Sequence, residues 1–255
     1  MPKVAVADHG LFYVHRPSAE SEETLLFIHG AGGTHRHWGH QVQGLGGVNR
    51  YSLDLPGHGR SDGEGQVSIA GYAGVILQLL DALDLPTVTL VGHSMGGAIS
   101  QFLALEHPQQ VDRLVLVGSG ARLRVLPNLL EGLLRDFPST VEMMLGWAYA
   151  KDTAPDLVQQ GREEWLENIP QAVYGDFSAC DDFDVMNRLG GIRCPTLVLC
   201  GEDDQLTPPK YAYYLRDNIP GATLAVIPRA GHMVMMEQPE LVNRAIGEFL
   251  AVSAK

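Results

Sequence analysis

Val88-Thr89-Leu90-Val91-Gly92-His93-Ser94-Met95-Gly96-Gly97 joins two stretches of different periodicity. Val88–Val91 is short, β-branched and uncharged, the pattern of a buried strand, whereas Met95–Glu106 repeats its apolar residues at helical spacing. Between them lies G-x-S-x-G. A tight strand-to-helix turn holds the middle residue of that motif in a strained backbone conformation. Gly92 and Gly96 leave room for the neighbouring chain, so the Ser94 hydroxyl is expected to project above the sheet. The helix that follows aims its first N–H groups at any negative charge formed there. A bare G-x-S-x-G occurs by chance in many chains; its position at a strand-helix junction gives it weight.

Outward from this turn the same alternation recurs. Apolar runs at Leu25–Ile28, Tyr51–Leu53, Leu114–Val117, Thr196–Leu199 and Leu224–Ile227 read as buried strands of a parallel sheet. Ala73–Leu83 and Leu241–Leu250 read as helices between and after them. Strands alternating with helices predict a doubly wound, mostly parallel α/β domain. Val4–Ala7 and Leu11–Val14, around His9-Gly10, predict an antiparallel hairpin at the sheet edge. From Ala121 to Leu189 the alternation stops. That stretch carries amphipathic Leu- and Met-rich pieces punctuated by Pro127, Pro138, Pro155 and Pro170, and reads as a helical cap insertion. Residues 1–120 and 190–255 would then form the core domain and 121–189 the cap, at the strand ends where open α/β sheets bind ligands. Leu126, Leu129, Leu130, Leu133, Met143, Met144, Leu145 and Trp147 are candidates for an apolar pocket, most of them expected to pack the insertion onto the sheet instead.

A serine hydroxyl is a poor nucleophile unless a base lies within hydrogen-bond reach, usually a histidine itself held by a carboxylate. Both types occur late in the chain and in the order this fold requires. Glu202, Asp203 and Asp204 follow the strand Thr196–Leu199, and His232 follows the strand Leu224–Ile227. Acid and base thus fall at carboxyl ends of predicted strands, on the same sheet edge as Ser94.

With these residues in place, the chain resembles the α/β-hydrolase family over nearly its whole length apart from the insertion. Besides the elbow, His29-Gly30-Ala31-Gly32 resembles the family's oxyanion loop, and Asp54-Leu55-Pro56-Gly57-His58-Gly59-Arg60-Ser61 resembles its D-x-x-G-x-G-x-S turn. The resemblance implies the α/β-hydrolase fold with Ser94 as nucleophile and His232 as base. The family pattern G-x-x-D, with Gly201 fixing the register, selects Asp204 as the acid and leaves Asp203 as the weaker candidate. It further implies that the backbone N–H groups of Ala31 and Met95 form the oxyanion hole. His232 would take the Ser94 proton as the hydroxyl attacks a carbonyl carbon, an alcohol would leave, and water would release the acyl-serine. His232 must be neutral for this, so activity is expected to fall toward acid pH.

Serine at position 94 argues against dehalogenases and epoxide hydrolases, which use aspartate there. The elbow GHSMGGAI resembles that of carboxylesterases and monoacylglycerol lipases, so a carboxylic ester with a medium apolar acyl group is the expected substrate. Lactonase, carbon–carbon bond hydrolase and perhydrolase chemistry use the same triad and stay open, as does a non-catalytic small-molecule receptor.

The remaining features mostly exclude. The 255 residues are 45% hydrophobic and 19% charged, as in ordinary globular proteins. A formal charge of -12 without any basic run argues against nucleic acid. No apolar run approaches the length of an integral membrane segment, and the first residues lack a signal-peptide pattern, so a cytoplasmic protein is expected. Cys180, Cys194 and Cys200 are expected as reduced core thiols. His35 and His37 lie close together without further ligands, so no metal is expected, and without G-x-G-x-x-G no dinucleotide cofactor is. Asp54 and Arg60 are expected to stabilise their own loop and His93 to pack beneath the elbow. Oligomeric state is not readable from the chain.

Overall fold

Side chains alternate across a strand, and in the central strands both sides are apolar. Leu26, Ile28, Leu90, Leu114, Leu116, Val198 and Cys200 join one buried cluster. Leu25, Phe27, Val91, Val115, Val117, Leu197 and Leu199 join a second. A sheet with two apolar faces must be covered twice, and helices do so here.

The computed structural model describes residues 3–6 and 9–253. In chain order they form β1 (Lys3–Val6), β2 (His9–Arg16), β3 (Thr24–Ile28), α1 (Gly39–Gly44), β4 (Asn49–Leu53), α2 (Ile69–Ala82), β5 (Val88–His93), α3 (Met95–Glu106) and β6 (Val111–Val117). Next come α4 (Pro127–Arg135), α5 (Phe137–Ala148), α6 (Pro155–Leu166) and α7 (Pro170–Asp182), and then β7 (Thr196–Gly201), α8 (Pro209–Asn218), β8 (Thr223–Ile227), α9 (Val234–Glu237) and α10 (Pro239–Ser253). The strands make one sheet in the order β1-β2-β4-β3-β5-β6-β7-β8. β2 runs antiparallel to β1 and β4, and the strands from β4 to β8 are mutually parallel. Helices α2, α3 and α8 fill one face and α1, α9 and α10 the other, the doubly wound α/β arrangement expected from the sequence.

The structure corrects several local readings. His9 and Gly10 are not the hairpin turn: they lie in β2, paired with Val6 and Ala5. Ala7, the end of the expected first strand, lies outside the described residues. α2 starts at Ile69 rather than Ala73, because Ser68 accepts the Gly71 N–H at 3.1 Å and caps the helix there. β8 is an edge strand paired only with β7, so most of Leu224–Ile227 is part-exposed or exposed rather than buried. Between β6 and β7, Pro127, Pro138, Pro155 and Pro170 each occupy the first turn of a helix, where a missing N–H costs nothing. A bridge between Arg122 and Asp184 closes this four-helix segment at its base. Among the described residues no helix is long and apolar enough to cross a membrane.

Candidate active site

The turn between β5 and α3 puts Ser94 at φ 51° and ψ −113°, a region that residues with a side chain enter only under constraint. The constraint is hydrogen bonding and close packing. Ser94 N–H donates to Val117 O of β6 at 2.9 Å, and its carbonyl accepts from Ser119 Oγ at 2.8 Å and Ala98 N at 3.1 Å. A Cβ on Gly92 would fall on the Gly96 carbonyl, and one on Gly96 on the carbonyl of Ile28 in β3. Both glycines are therefore needed for α3 to lie this close to the sheet.

Past the end of β7, Gly201 opens a turn that buries Asp204 and leaves Asp203 exposed. Asp204 Oδ1 accepts the N–H groups of Leu206 at 2.9 Å and Thr207 at 2.8 Å. Its Oδ2 accepts Thr207 Oγ1 at 2.8 Å and His232 Nδ1 at 2.9 Å. The structure thus sets Asp204, and not Asp203, against the imidazole. Because a carboxylate only accepts, Nδ1 carries the proton and Nε2 is the ring nitrogen left for other work. His232 N–H donates to Ala148 O at the end of α5 at 2.8 Å, and the His232 carbonyl accepts from His93 Nε2 at 3.0 Å, so His93, next to the elbow serine, ties the elbow to the loop that carries His232. Burial, with His232 adjacent, holds the His93 pKa well below the usual value, keeping that ring neutral.

Ser94 and His232 line one cavity of about 340 Å³. Among the described residues no hydrogen bond joins the hydroxyl to the imidazole; such contacts commonly tighten only once substrate is bound. Ala31 lines the same cavity, and Met95 opens α3 with its side chain buried in the core. No backbone hydrogen bond among the described residues takes up the N–H of Ala31 or of Met95. Of the eight apolar candidates, Leu126, Leu129, Met144, Leu145 and Trp147 line the cavity, while Leu133 and Met143 pack into the core and Leu130 is only part-buried. More of them reach the cavity than expected, because α4 and α5 turn one face toward the strand ends.

Four residues missed by the sequence reading shape the site. Thr207, three residues after Asp204, donates to its carboxylate and lies 3.2 Å from His232 Nδ1. Asp176 of α7 is fully buried and accepts the Gly32 N–H at 2.8 Å, His58 Nε2 at 2.8 Å and the Tyr72 hydroxyl. Asn168, just past α6, donates to the Gly32 carbonyl at 2.9 Å. His37 lines the cavity with its Nε2 3.6 Å from Glu164, and burial lowers its pKa to about 3. A D-x-x-T spacing was the only available signal for Thr207; the others act across more than a hundred residues.

Histidines in the surrounding loops fall into two states. His29 Nδ1 donates to Gly30 O at 2.8 Å and Nε2 accepts the Leu55 N–H at 3.0 Å, so the ring is neutral, and burial lowers its pKa to about 4. His58 has an acceptor at each nitrogen, Pro56 O at 2.9 Å and Asp176 Oδ2, and is an imidazolium. Burial opposes that charge, but the Asp176 carboxylate outweighs it and the His58 pKa is raised. Asp54 accepts His35 N at 2.7 Å, His35 Nδ1 at 2.8 Å and Arg60 N at 2.9 Å, tying its own turn together; despite burial, these bonds lower its pKa. His35 and His37 therefore face separate carboxylates, Asp54 and Glu164. Cys180, Cys194 and Cys200 are free thiols, and Cys180 reaches the cavity wall.

The profile of the Alpha/beta hydrolase family matches residues 25–245. The chain is 30% identical to a 2-hydroxy-6-oxo-6-phenylhexa-2,4-dienoate hydrolase from Burkholderia cepacia, over 97% of this chain and 95% of that protein. It is 31% identical to a 2-hydroxy-6-oxononadienedioate/2-hydroxy-6-oxononatrienedioate hydrolase from Cupriavidus pinatubonensis, over 94% and 91%. Among solved structures, a thermophilic esterase superposes with a TM-score of 0.87 at 35% identity, covering 98% of this chain and 97% of that one. An eight-stranded sheet, a strained serine at its strand-helix turn and a family match that runs across α4–α7 and both their flanks agree: the chain belongs to the alpha/beta hydrolase family.

Proposed function

We propose that this hydrolase cleaves carboxylic esters with a medium apolar acyl group through an acyl-serine intermediate, and that residues 121–189 form a cap over the site. The carrying observation is the 2.9 Å bond between Asp204 and His232, with His232 and a strained Ser94 both lining one cavity walled by Leu129, Met144 and Leu145. Ser94 Oγ attacks the carbonyl carbon while His232 Nε2 takes its proton, and Asp204 stabilises the imidazolium. The negative oxygen is received by the N–H groups of Ala31 and Met95, which have no backbone partner among the described residues. His232 returns its proton to the departing alcohol, then activates water to hydrolyse the acyl-serine. No step draws on a cofactor.

A p-nitrophenyl ester series from acetyl to dodecanoyl tests this. Turnover should peak at intermediate chain length and vanish in Ser94→Ala while circular dichroism is unchanged; turnover surviving in that variant removes Ser94 from its role. A second reading is favoured by the dienoate relatives. Their named substrates contain a ketone and no ester, so hydrolysis there breaks a carbon–carbon bond. Such substrates also carry a carboxylate. The cavity wall here is mainly apolar, and Arg124 at its edge already donates to the Asp181 carbonyl at 3.1 Å, which supports the ester. Faster turnover of a 2-hydroxy-6-oxo-dienoate than of any ester would reverse this preference.

A further inference from the structure

Gly32 sits one residue after Ala31, and both of its backbone polar groups are held by α7 and by the turn that joins α6 to it. Its N–H donates to Asp176 Oδ2 of α7 at 2.8 Å, and its carbonyl accepts from Asn168 Nδ2 at 2.9 Å. Its φ is 63°, and the Trp165 ring of α6 lies against its Cα, where a Cβ would be 3.1 Å away. From the core side, the Gly30 carbonyl, which shares its peptide with the Ala31 N–H, accepts from Gly33 N at 3.0 Å and from His29 Nδ1 at 2.8 Å. A positive-φ residue with both flanking peptides fixed has little freedom left, so the Ala31–Gly32 peptide is set from above, and Ala31 is held between it and the core-bound Gly30–Ala31 peptide that carries its N–H.

Asp176 is itself built in. It is fully buried, and its other donors are the His58 imidazolium, in the turn after β4, and the Tyr72 hydroxyl of α2. One carboxylate therefore ties α7, α2, the turn after β4 and the Ala31 loop together. None of these groups touches the reacting atoms.

We propose that Asp176 and Asn168 are positioning residues for the oxyanion hole: by gripping both polar groups of Gly32 they hold the Ala31 N–H at the place where negative charge forms. This rests on the serine-hydrolase reading above. The hole is complete only while α6 and α7 are seated, so seating these helices and stabilising the transition state are one event.

The test uses the full-length protein and the best p-nitrophenyl ester, with Asn168→Ala and Asp176→Asn and a trifluoromethyl ketone of the same chain length. The ketone adds to a serine hydroxyl to form a stable tetrahedral oxyanion, so its affinity reports the hole. Asn168→Ala should lower kcat about tenfold and Asp176→Asn by more, with KM within about twofold and the ketone Ki rising in proportion to the loss in kcat/KM. Asn168→Ala keeps the test decisive if loss of the His58 counter-ion unfolds the other variant. A rise in KM alone, with the ketone weakened only by that factor, makes these residues part of the acyl pocket and overturns the proposal. So does unchanged turnover in folded variants. Absence of Ser94-dependent turnover in the wild type overturns the reading of the site, and the proposal falls with it.

Discussion

Thr207 divides one hydroxyl between two partners, donating to Asp204 Oδ2 at 2.8 Å while lying 3.2 Å from His232 Nδ1. Thr207→Val keeps the shape and removes the donor, so kcat should fall about tenfold, and Thr207→Ser should recover most of it. Asp204→Asn should cost about 10³–10⁴ in kcat by favouring the wrong imidazole tautomer, measured on the same ester. Ser94 predicts the opposite trade. Its φ of 51° stores about 1–3 kcal/mol of strain, so Ser94→Gly should raise the urea midpoint, even after its added chain entropy, while abolishing turnover. At this scale the sequence was most legible where chemistry and local geometry coincide. Ser94, Asp204 and His232, the proposed triad, stood out because each follows a strand by a few residues. Thr207 did not, since threonine after an acidic turn is ordinary in loops.

Among elements, the β5-turn-α3 unit has the least slack. Gly96→Ala would drive a methyl group into the Ile28 carbonyl and should cost about 1–3 kcal/mol, visible as a lower urea midpoint with unchanged slope. The central strands were legible because both of their faces are apolar and their runs are uninterrupted. β8 was misjudged because an apolar run does not say how many neighbours a strand has. His9-Gly10 resembled a turn by composition, yet Gly10 is paired with Ala5 in the ladder. The four prolines of residues 121–189 were read as breaks, whereas each begins a helix; proline ends one element and starts the next with equal ease.

For the whole molecule, buried histidines set the pH response. His29, His37 and His93 are held neutral by burial, so the unfolded chain binds more protons than the folded one below about pH 6.5. Each should remove about 1.4 kcal/mol of stability per pH unit as pH falls from there, down to about 4 for His29 and about 3 for His37. His58 acts in reverse: its raised folded pKa gives stability that is present in full below pH 6.5 and is lost as pH rises through the folded value. Urea midpoints should therefore drop steeply between pH 6.5 and 5, and His58→Gln should flatten the alkaline side only. Composition showed ten histidines but not which were buried, because burial here depends on contacts such as His58 with Asp176, 118 residues apart.

The grip on Gly32 also bears on how such proteins are recombined. Residues 121–189 replaced by the matching segment of a relative would bring their own apolar wall, but the Gly32 amide, its carbonyl and the His58 imidazolium would each lose a dedicated partner. Buried polar groups left unmatched cost about 1–3 kcal/mol apiece, and more where charged. Chimeras of this chain should fail to fold or to turn over unless residues equivalent to Asp176 and Asn168 travel with the graft. Exchanging residues 121–189 here therefore means exchanging them and the Gly32 loop as a matched pair.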